Sequence, residues 1–235
     1  MSRVFLLSPA NCGGRRAQQA LSVTAQFDVA VRLRSREGVP IGDLFAFMSG
    51  LYFRGKLAYA RRFAAPPDAG NPIVGSGVHI ITPSAGLRSP DTPITADAVR
   101  AFSQASVDAA NEAYRRPLEQ SARALLAEIG DTEVVLLGSI ASPKYVDVLL
   151  GIFGDRLFFP VDFVGRGDMS RGGLMLRQVA SGDELVYVPV AGAVRRGQRP
   201  PRLAPLEGPA EAGPHDQSSG PPHDQSTGQP GPRQG

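Results

Sequence analysis

Short apolar segments that alternate with helical patterns are the feature that most restricts the fold of this chain. Four runs, at residues 4–7, 78–82, 133–138 and 156–160, have the length and composition of strands buried on both faces. A fifth strand is predicted at residues 27–33, where apolar and polar residues alternate. Strands separated by helices indicate βαβ units with right-handed crossovers. We therefore predict a three-layer α/β fold with a four- or five-stranded, mostly parallel sheet flanked by helices.

Helix-breaking and helix-starting residues place the helices between these strands. Helices are predicted for residues 43–64, 95–110, 117–129 and 143–153. Gly50 and Gly55 each cost about 1 kcal/mol relative to Ala in a helix, so the first segment is either two helices or one helix that packs closely there. Pro117 is expected to open its helix, because proline is favoured in a first turn. Residues 174–189 fit either a helix or a hairpin.

The chain divides into two parts of different composition. Residues 1–203 have the apolar content of a single α/β domain. Residues 204–235 are rich in Pro and Gly and contain an eight-residue repeat that begins at Pro214 and again at Pro222. The repeat has no apolar side chain to bury, so we predict that 204–235 is a disordered tail.

Charge and cysteine content restrict the partners. The predicted domain has 24 basic and 18 acidic residues, and a net charge of +6 is compatible with a nucleotide or nucleic acid as partner. No run approaches the ~18 apolar residues of a membrane helix, so we predict no membrane partner. The run at residues 4–7 is too short for a signal peptide. Cys12 is the only cysteine, which excludes an intrachain disulfide and favours a cytoplasmic location.

The scarcity of histidine excludes two classes of site. His79 is the only histidine before residue 204, and it falls inside a predicted strand. A zinc site needs more ligands than His79 and Cys12 supply, so we predict no metal ion and no cofactor. A Ser-His-Asp triad would have to use His79 and is equally disfavoured.

Four loops follow the predicted strands, and ligands of open parallel sheets bind beyond the carboxyl ends of the strands. The loops offer glycines for close backbone approach, and arginines and a lysine for anions. Each loop can also be an ordinary connection. The candidates, in chain order, are Ser8, Asn11 and Arg15; Arg88 and Asp91; Lys144 and Tyr145; and Arg166, Asp168 and Arg171.

A polar face on the segment 43–64 gives two further candidates. Ser49, Tyr52, Lys56 and Tyr59 share a face distinct from the apolar stripe. Tyr52 and Lys56 together suit a base and its phosphate. The alternative is a solvated face with amphipathic tyrosines.

These motifs resemble a largely uncharacterised family of bacterial α/β proteins. Family members typically read Ser-x-Cys after a first strand, then Leu-Tyr-x-Gly-x-Leu-Phe, then Ile-Leu-Ser-Ala-Lys-Tyr-Gly-Leu. The matching positions here are Ser8 and Cys12, residues 51–60, residues 80–87, Pro90, Asp91, Ile94, residues 135–138, Tyr145, Pro160 and residues 165–169. The resemblance covers about three quarters of the chain, although Pro9 to Asn11 lengthen the first motif and Thr82 to Ser84 replace the usual Leu-Ser-Ala-Lys. It implies a compact α/β fold and a loose similarity to uracil-DNA-glycosylase-like domains, including one in an archaeal tRNA-modifying enzyme.

The leading hypothesis is a protein that recognises a nucleobase or nucleotide and acts on nucleic acid or a modified base. Asp91 or Asp168 is then the acid/base candidate, and Arg88, Arg166 and Arg171 are the phosphate ligands. Two alternatives stay open: a non-catalytic protein-interaction module, and an enzyme for a phosphorylated metabolite. The sequence decides neither whether the protein is an enzyme nor its oligomeric state.

Overall fold

Six strands form one sheet in the computed structural model of the chain, which describes residues 1–203. Four of them are parallel, and the short edge strands β4 and β8 are antiparallel to their neighbours. The order in the sheet is β4-β3-β1-β6-β7-β8, and β2 and β5 form a separate antiparallel pair. The strands are β1 (Arg3–Leu7), β2 (Val39–Pro40), β3 (Val78–Ile81), β4 (Leu87–Arg88), β5 (Pro93–Ile94), β6 (Glu133–Leu137), β7 (Leu157–Pro160) and β8 (Tyr187–Pro189).

Helices cover both faces of this sheet, which confirms the predicted mostly parallel α/β fold. The strand number within the described residues exceeds the predicted four or five because the two short edge strands were not foreseen. The helices are α1 (Arg15–Leu21), α2 (Asp28–Arg34), α3 (Ile41–Ser49), α4 (Leu51–Phe63), α5 (Ala96–Gln104), α6 (Glu112–Glu128), α7 (Pro143–Phe153) and α8 (Asp168–Ser181). Residues 1–203 form one compact unit. The predicted tail at 204–235 lies outside the described residues.

Side chains of the central strands alternate between two cores. Phe5 and Leu7 of β1 pack in the core that contains α3, α4, α5 and α8, whereas Val4 and Leu6 pack in the core beneath α6 and α7. All four are fully buried. A strand covered on both faces needs an apolar residue at every position, which is why β1 and β6 read as continuous apolar runs.

The predicted strand at 27–33 is wrong, because this segment forms α2. Its buried residues are Ala30 and Leu33, three positions apart, whereas Phe27 and Val31 are exposed. Buried residues three positions apart lie on one face of a helix. The alternation of apolar and polar residues in 27–33, which predicted a strand, therefore does not correspond to the pattern of burial. Asp28 in the first turn and basic residues in the last turn agree with the helix dipole.

Two helix predictions have different outcomes: the segment 43–64 forms two helices, which is one of the two alternatives stated above, whereas Pro117 does not begin a helix. The segment 43–64 divides into α3 and α4 at Gly50, whose φ of 61° is in the left-handed region that favours glycine. Pro117 lies inside α6 and does not open it. That helix begins earlier because the Asn111 side chain accepts a hydrogen bond from the Ala113 N–H, at 3.1 Å.

Candidate functional site

The order of the strands makes the space between β1 and β6 the candidate position for a ligand. From β1 the chain continues through β3 to one edge of the sheet, and it then returns to the other side of β1 with β6 and β7. The order of a doubly wound sheet therefore reverses between β1 and β6, and ligands bind at the carboxyl ends of the strands at such a point. Ser8 follows β1 directly, and Ser139 lies two residues after β6.

A cleft of about 560 Å³ opens at this position. Its volume is within the range of small-molecule sites. Residues from five segments of the chain contribute to it, and six of them are candidates from the sequence. The lining consists of Ser8, Pro9, Ala10, Asn11, Ser49, Tyr52, Val107, Ser139, Ser142, Lys144, Tyr145 and Asp168.

A close crossing of α4 and α8 brings distant parts of the sequence to the cleft. A Cβ atom on Gly55 would lie 2.7 Å from the Gly172 carbonyl oxygen, and one on Gly172 would lie 2.8 Å from the Tyr52 Cα. Only glycine at both positions allows the two backbones to approach so closely. The crossing sets Asp168, in the first turn of α8, beside Tyr52 on α4.

Lys56 lies behind Ser8 and is fully enclosed. Its side-chain nitrogen donates hydrogen bonds to the Ser8 carbonyl oxygen at 2.6 Å and to Ser8 Oγ at 2.9 Å. The same nitrogen lies 4.5 Å from the ring centre of Tyr52 and 4.7 Å from that of Phe53. These contacts satisfy the buried amine and fix Ser8 at the end of β1.

Burial lowers the pKa of Lys56 to about 7. Asp168 acts to raise this pKa, and Arg171 acts to lower it. A lysine with a pKa near neutrality is present both as the ammonium and as the free amine, and it can therefore accept a proton as well as donate one.

The Tyr52 hydroxyl is buried and makes no hydrogen bond of ordinary geometry among residues 1–203, although the Arg171 guanidinium lies near enough to interact with it. The side chain is 7% exposed, and it lines the cleft. Burial raises its pKa far above the usual range, although the nearby Arg171 guanidinium acts in the opposite direction. An unpaired buried hydroxyl costs free energy, so a ligand that supplies a partner here gains affinity.

Tyr145 meets Ser8 across Gly138. A Cβ atom on Gly138 would lie 2.8 Å from the Tyr145 hydroxyl oxygen and 2.9 Å from the Ser8 Cβ. The Tyr145 hydroxyl donates to the Ser139 carbonyl at 3.0 Å, and burial raises its pKa. The glycine after β6 thus leaves room for two hydroxyl groups to converge at the base of the cleft.

The two candidates from the first turn of α8 have separate roles. Arg171 is buried and donates two hydrogen bonds to the Phe163 carbonyl, at 3.1 and 2.9 Å. Its guanidinium also lies 3.5 Å from the Asp168 carboxylate, which is largely exposed and lines the cleft. Arg171 therefore holds the start of α8 in place, and Asp168 is the one of the two that lines the cleft.

Six of the twelve predicted site residues do not line the cleft: Lys56 and Arg171 are buried, as described above, and the other four lie elsewhere. Arg15 is exposed at the start of α1. Asp91 forms a surface ion pair with Arg61 at 2.8 Å. Arg166 donates to Ser170 Oγ and to the Pro201 carbonyl, at 3.3 and 3.4 Å.

The fourth, Arg88, lies on the edge strand β4 and lines a different cavity of about 580 Å³. That cavity also contains His79, whose pKa burial lowers to about 4. Residues 69–76, which precede β3, form much of its wall, so it does not lie at the carboxyl edge of the parallel strands. The cleft at β1 and β6 is the better candidate because the fold itself places sites there.

Several properties of the site were not found from the sequence. The solvated face considered for Ser49, Tyr52, Lys56 and Tyr59 is contradicted, since the last three are buried. The pairing of Ser8 with Lys56 joins residues 48 positions apart, and no spacing rule indicates it. Cys12 is also buried, and burial raises its pKa to about 12, so its thiol stays protonated at neutral pH.

No family model, curated protein or solved structure matches the chain. The helices within residues 1–203 include none that is long and apolar enough to cross a membrane.

Proposed function

We propose that this protein binds a nucleobase-containing ligand, such as a nucleotide, in the cleft between β1 and β6. The observation that carries the proposal is the buried, unpaired Tyr52 hydroxyl at a cleft that a second tyrosine, Tyr145, also lines. A planar base presents hydrogen-bonding atoms along its edge and aromatic faces on either side. Both match tyrosine side chains, which offer a hydroxyl and a ring.

Polar groups at the cleft suit the rest of such a ligand. The Asn11 side-chain oxygen accepts from the Gly13 N–H at 3.0 Å, so its NH₂ group is left as the donor for a ligand acceptor. The Asp168 carboxylate accepts from an exocyclic amine or a ribose hydroxyl. These groups are of the kind that read a base edge or a sugar.

Lys144 supplies a site for phosphate at the mouth of the cleft. It is exposed in the first turn of α7, and no acidic side chain among residues 1–203 forms an ion pair with it. A cation at this end of a helix opposes the helix dipole, but an anionic ligand interacts favourably with both.

The test is thermal unfolding of the full chain with free bases, nucleosides, nucleotides, short single strands and sugar phosphates. A ligand at ~100 times its dissociation constant stabilises the folded state by about 2.7 kcal/mol, which for a domain of this size raises Tm by about 5–10 °C. We expect shifts that depend on the base. Equal shifts with sugar phosphates would favour the phosphorylated-metabolite alternative, and no shift with any compound would contradict the proposal.

A lysine variant and an arginine control test the phosphate contact. Lys144→Gln is expected to weaken nucleotide binding about tenfold and to leave nucleoside binding unchanged, since only the nucleotide carries the phosphate. Arg88→Gln removes a cation from the other cavity and is expected to change neither affinity. Equal losses in the two variants would contradict the assigned role of Lys144.

A further inference from the structure

Ser8 and Lys56 have the arrangement of a nucleophile with its base. Ser8 lines the cleft, whereas Lys56 lies behind it and outside the lining. The Lys56 nitrogen is 2.9 Å from Ser8 Oγ, within the distance over which a proton moves between a hydroxyl and a base. The additional bond of 2.6 Å to the Ser8 carbonyl fixes the amine in this position.

We infer that Ser8 is a catalytic nucleophile, that Lys56 is its general base, and that the cleft transfers or hydrolyses acyl groups carried as esters. This inference goes beyond the proposed function, because it assigns a reaction and does not require the ligand to be a nucleotide. Serine–lysine pairs are a known means of activating a hydroxyl without histidine. Lys56 therefore serves as the general base that a histidine provides in a Ser-His-Asp triad.

The reaction balances without a cofactor. The neutral Lys56 amine takes the proton from Ser8 Oγ while the oxygen forms a bond to the ester carbonyl carbon. The tetrahedral intermediate then breaks its bond to the alcohol oxygen, and the Lys56 ammonium returns the proton to that oxygen. The acyl group stays on Ser8 until water or a second alcohol attacks the carbonyl by the same route, with Lys56 again as the base.

The Asn11 side chain offers a neutral donor for the negative charge of the intermediate. Its oxygen accepts from the Gly13 N–H, so its NH₂ group is left to donate, and Asn11 lines the cleft together with Ser8. Gly138 keeps the space between Ser8 and Tyr145 open, since a Cβ atom there would contact both. Neutral donors aimed at a developing oxyanion are a large part of acyl-transfer catalysis.

The dependence on pH follows from the protonation of Lys56. Only the free amine accepts the serine proton, so the reaction rate rises with pH through about 7 and is constant above it. The charged groups that act on Lys56 are Asp168 and Arg171, both on α8 and opposite in sign. The amine is also faced by Ser8, the residue that follows β1, and by Tyr52 and Phe53 of its own helix.

The experiment is covalent labelling of the full chain with a fluorophosphonate, followed by intact-mass and peptide mass spectrometry. Ser8 Oγ forms a bond to phosphorus, fluoride leaves, and the proton passes through Lys56 to solvent. We expect one label per chain, on Ser8, with a rate that rises with pH through about 7. Absence of labelling between pH 6 and 9 would overturn the inference.

Matched variants separate catalysis from structure. Ser8→Ala keeps the backbone carbonyl that Lys56 contacts, so it is expected to fold and to lose the label. Ser103→Ala removes an exposed serine of α5 that does not line the cleft, and it is expected to be labelled at the wild-type rate. Lys56→Met is expected to slow labelling 10²–10⁴-fold, the usual contribution of a general base. Labelling of Ser8→Ala at the wild-type rate would refute the assignment, and if Lys56→Met does not fold, the pH profile of the wild type tests the same role.

The two proposals fail in different ways. If Ser8 is labelled and no nucleotide shifts Tm or slows the labelling, the reaction stands and the nucleotide is not the ligand. If nucleotides shift Tm and Ser8 stays unlabelled, the cleft binds nucleotides and the inferred chemistry is wrong.

Discussion

Replacement of Gly55 by Ala tests whether the crossing of α4 and α8 builds the cleft. The new Cβ atom would lie 2.7 Å from the carbonyl oxygen of Gly172 and 3.0 Å from its Cα. Both are backbone atoms of α8, so the contact is relieved only if one helix moves. Overpacking of this kind costs about 1–3 kcal/mol.

The matched control is Gly151→Ala on α7, where a Cβ atom meets nothing within 4 Å. In both variants alanine gains up to about 1 kcal/mol of helix propensity over glycine. This gain is shared, so the difference in the free energy of unfolding between the two variants isolates the overpacking cost. We expect Gly151→Ala to be more stable than Gly55→Ala by about 1–3 kcal/mol.

Urea denaturation followed by circular dichroism measures this difference, provided that both variants keep the wild-type m-value. Equal stabilities within about 0.5 kcal/mol would refute the reasoning. Gly55→Ala is also expected to weaken ligand binding, because α8 carries Asp168 to the cleft, whereas Gly151→Ala is not.

Three further predictions concern buried groups near the sheet. Burial lowers the pKa of Lys56 to about 7, so between pH 7 and 10 the unfolded chain binds the extra proton and stability rises with pH. Urea denaturation at several pH values should show that the free energy of unfolding of the wild type rises relative to that of Lys56→Met over this range. A difference between the two proteins that does not change with pH would contradict the lowered pKa. Burial lowers the pKa of His79 to about 4, so the wild type should lose stability as pH falls from 6.5 to 4, by up to about 1.4 kcal/mol per unit, and His79→Gln should not. Gly138→Ala places a methyl group between Ser8 and Tyr145, so calorimetry should find ligand affinity reduced at least tenfold; unchanged affinity would place the ligand elsewhere.

The sequence was sufficient to predict the fold class because strands that are covered on both faces of a sheet must be apolar along their length. Residues 134–137 are continuously apolar, and they lie in β6 near the centre of the sheet. Residues 27–33 show the limit of such patterns. Their alternation fits a strand, yet burial of Ala30 and Leu33 against the rest of the fold makes the segment helical.

The site was only partly predictable, because its geometry depends on contacts between distant segments. The rule that ligands bind at carboxyl ends of strands selected ten candidates, and five of them line the cleft: Ser8, Asn11, Lys144, Tyr145 and Asp168. The same rule offered Arg88 and Asp91, which follow a strand at one edge of the sheet. The order of the strands in the sheet puts Arg88 and Asp91 at a different position from the residues of the cleft, and no local sequence pattern predicts that order.

Gly172 and Lys56 are two residues whose tertiary contacts could not be predicted from the sequence. Gly172 lies next to the candidate Arg171, where the sequence predicts glycines that allow close approach to a ligand, but the backbone that Gly172 allows to approach is that of α4. Lys56 was assigned to a polar helix face, but that face packs against the end of β1. In both cases the partner is a backbone atom far away in the sequence.

The most direct test of the proposed ligand site is the affinity of two tyrosine variants, measured by calorimetry with the nucleotide that stabilises the wild type most. Tyr52 and Tyr114 each bury a hydroxyl that makes no hydrogen bond of ordinary geometry among the described residues, but only Tyr52 lines the cleft. Removing an unpaired hydroxyl is nearly neutral for folding, so both Tyr→Phe variants should be as stable as the wild type. We predict that Tyr52→Phe binds the nucleotide about tenfold more weakly and that Tyr114→Phe binds it normally. Equal affinities for the two variants would contradict the account.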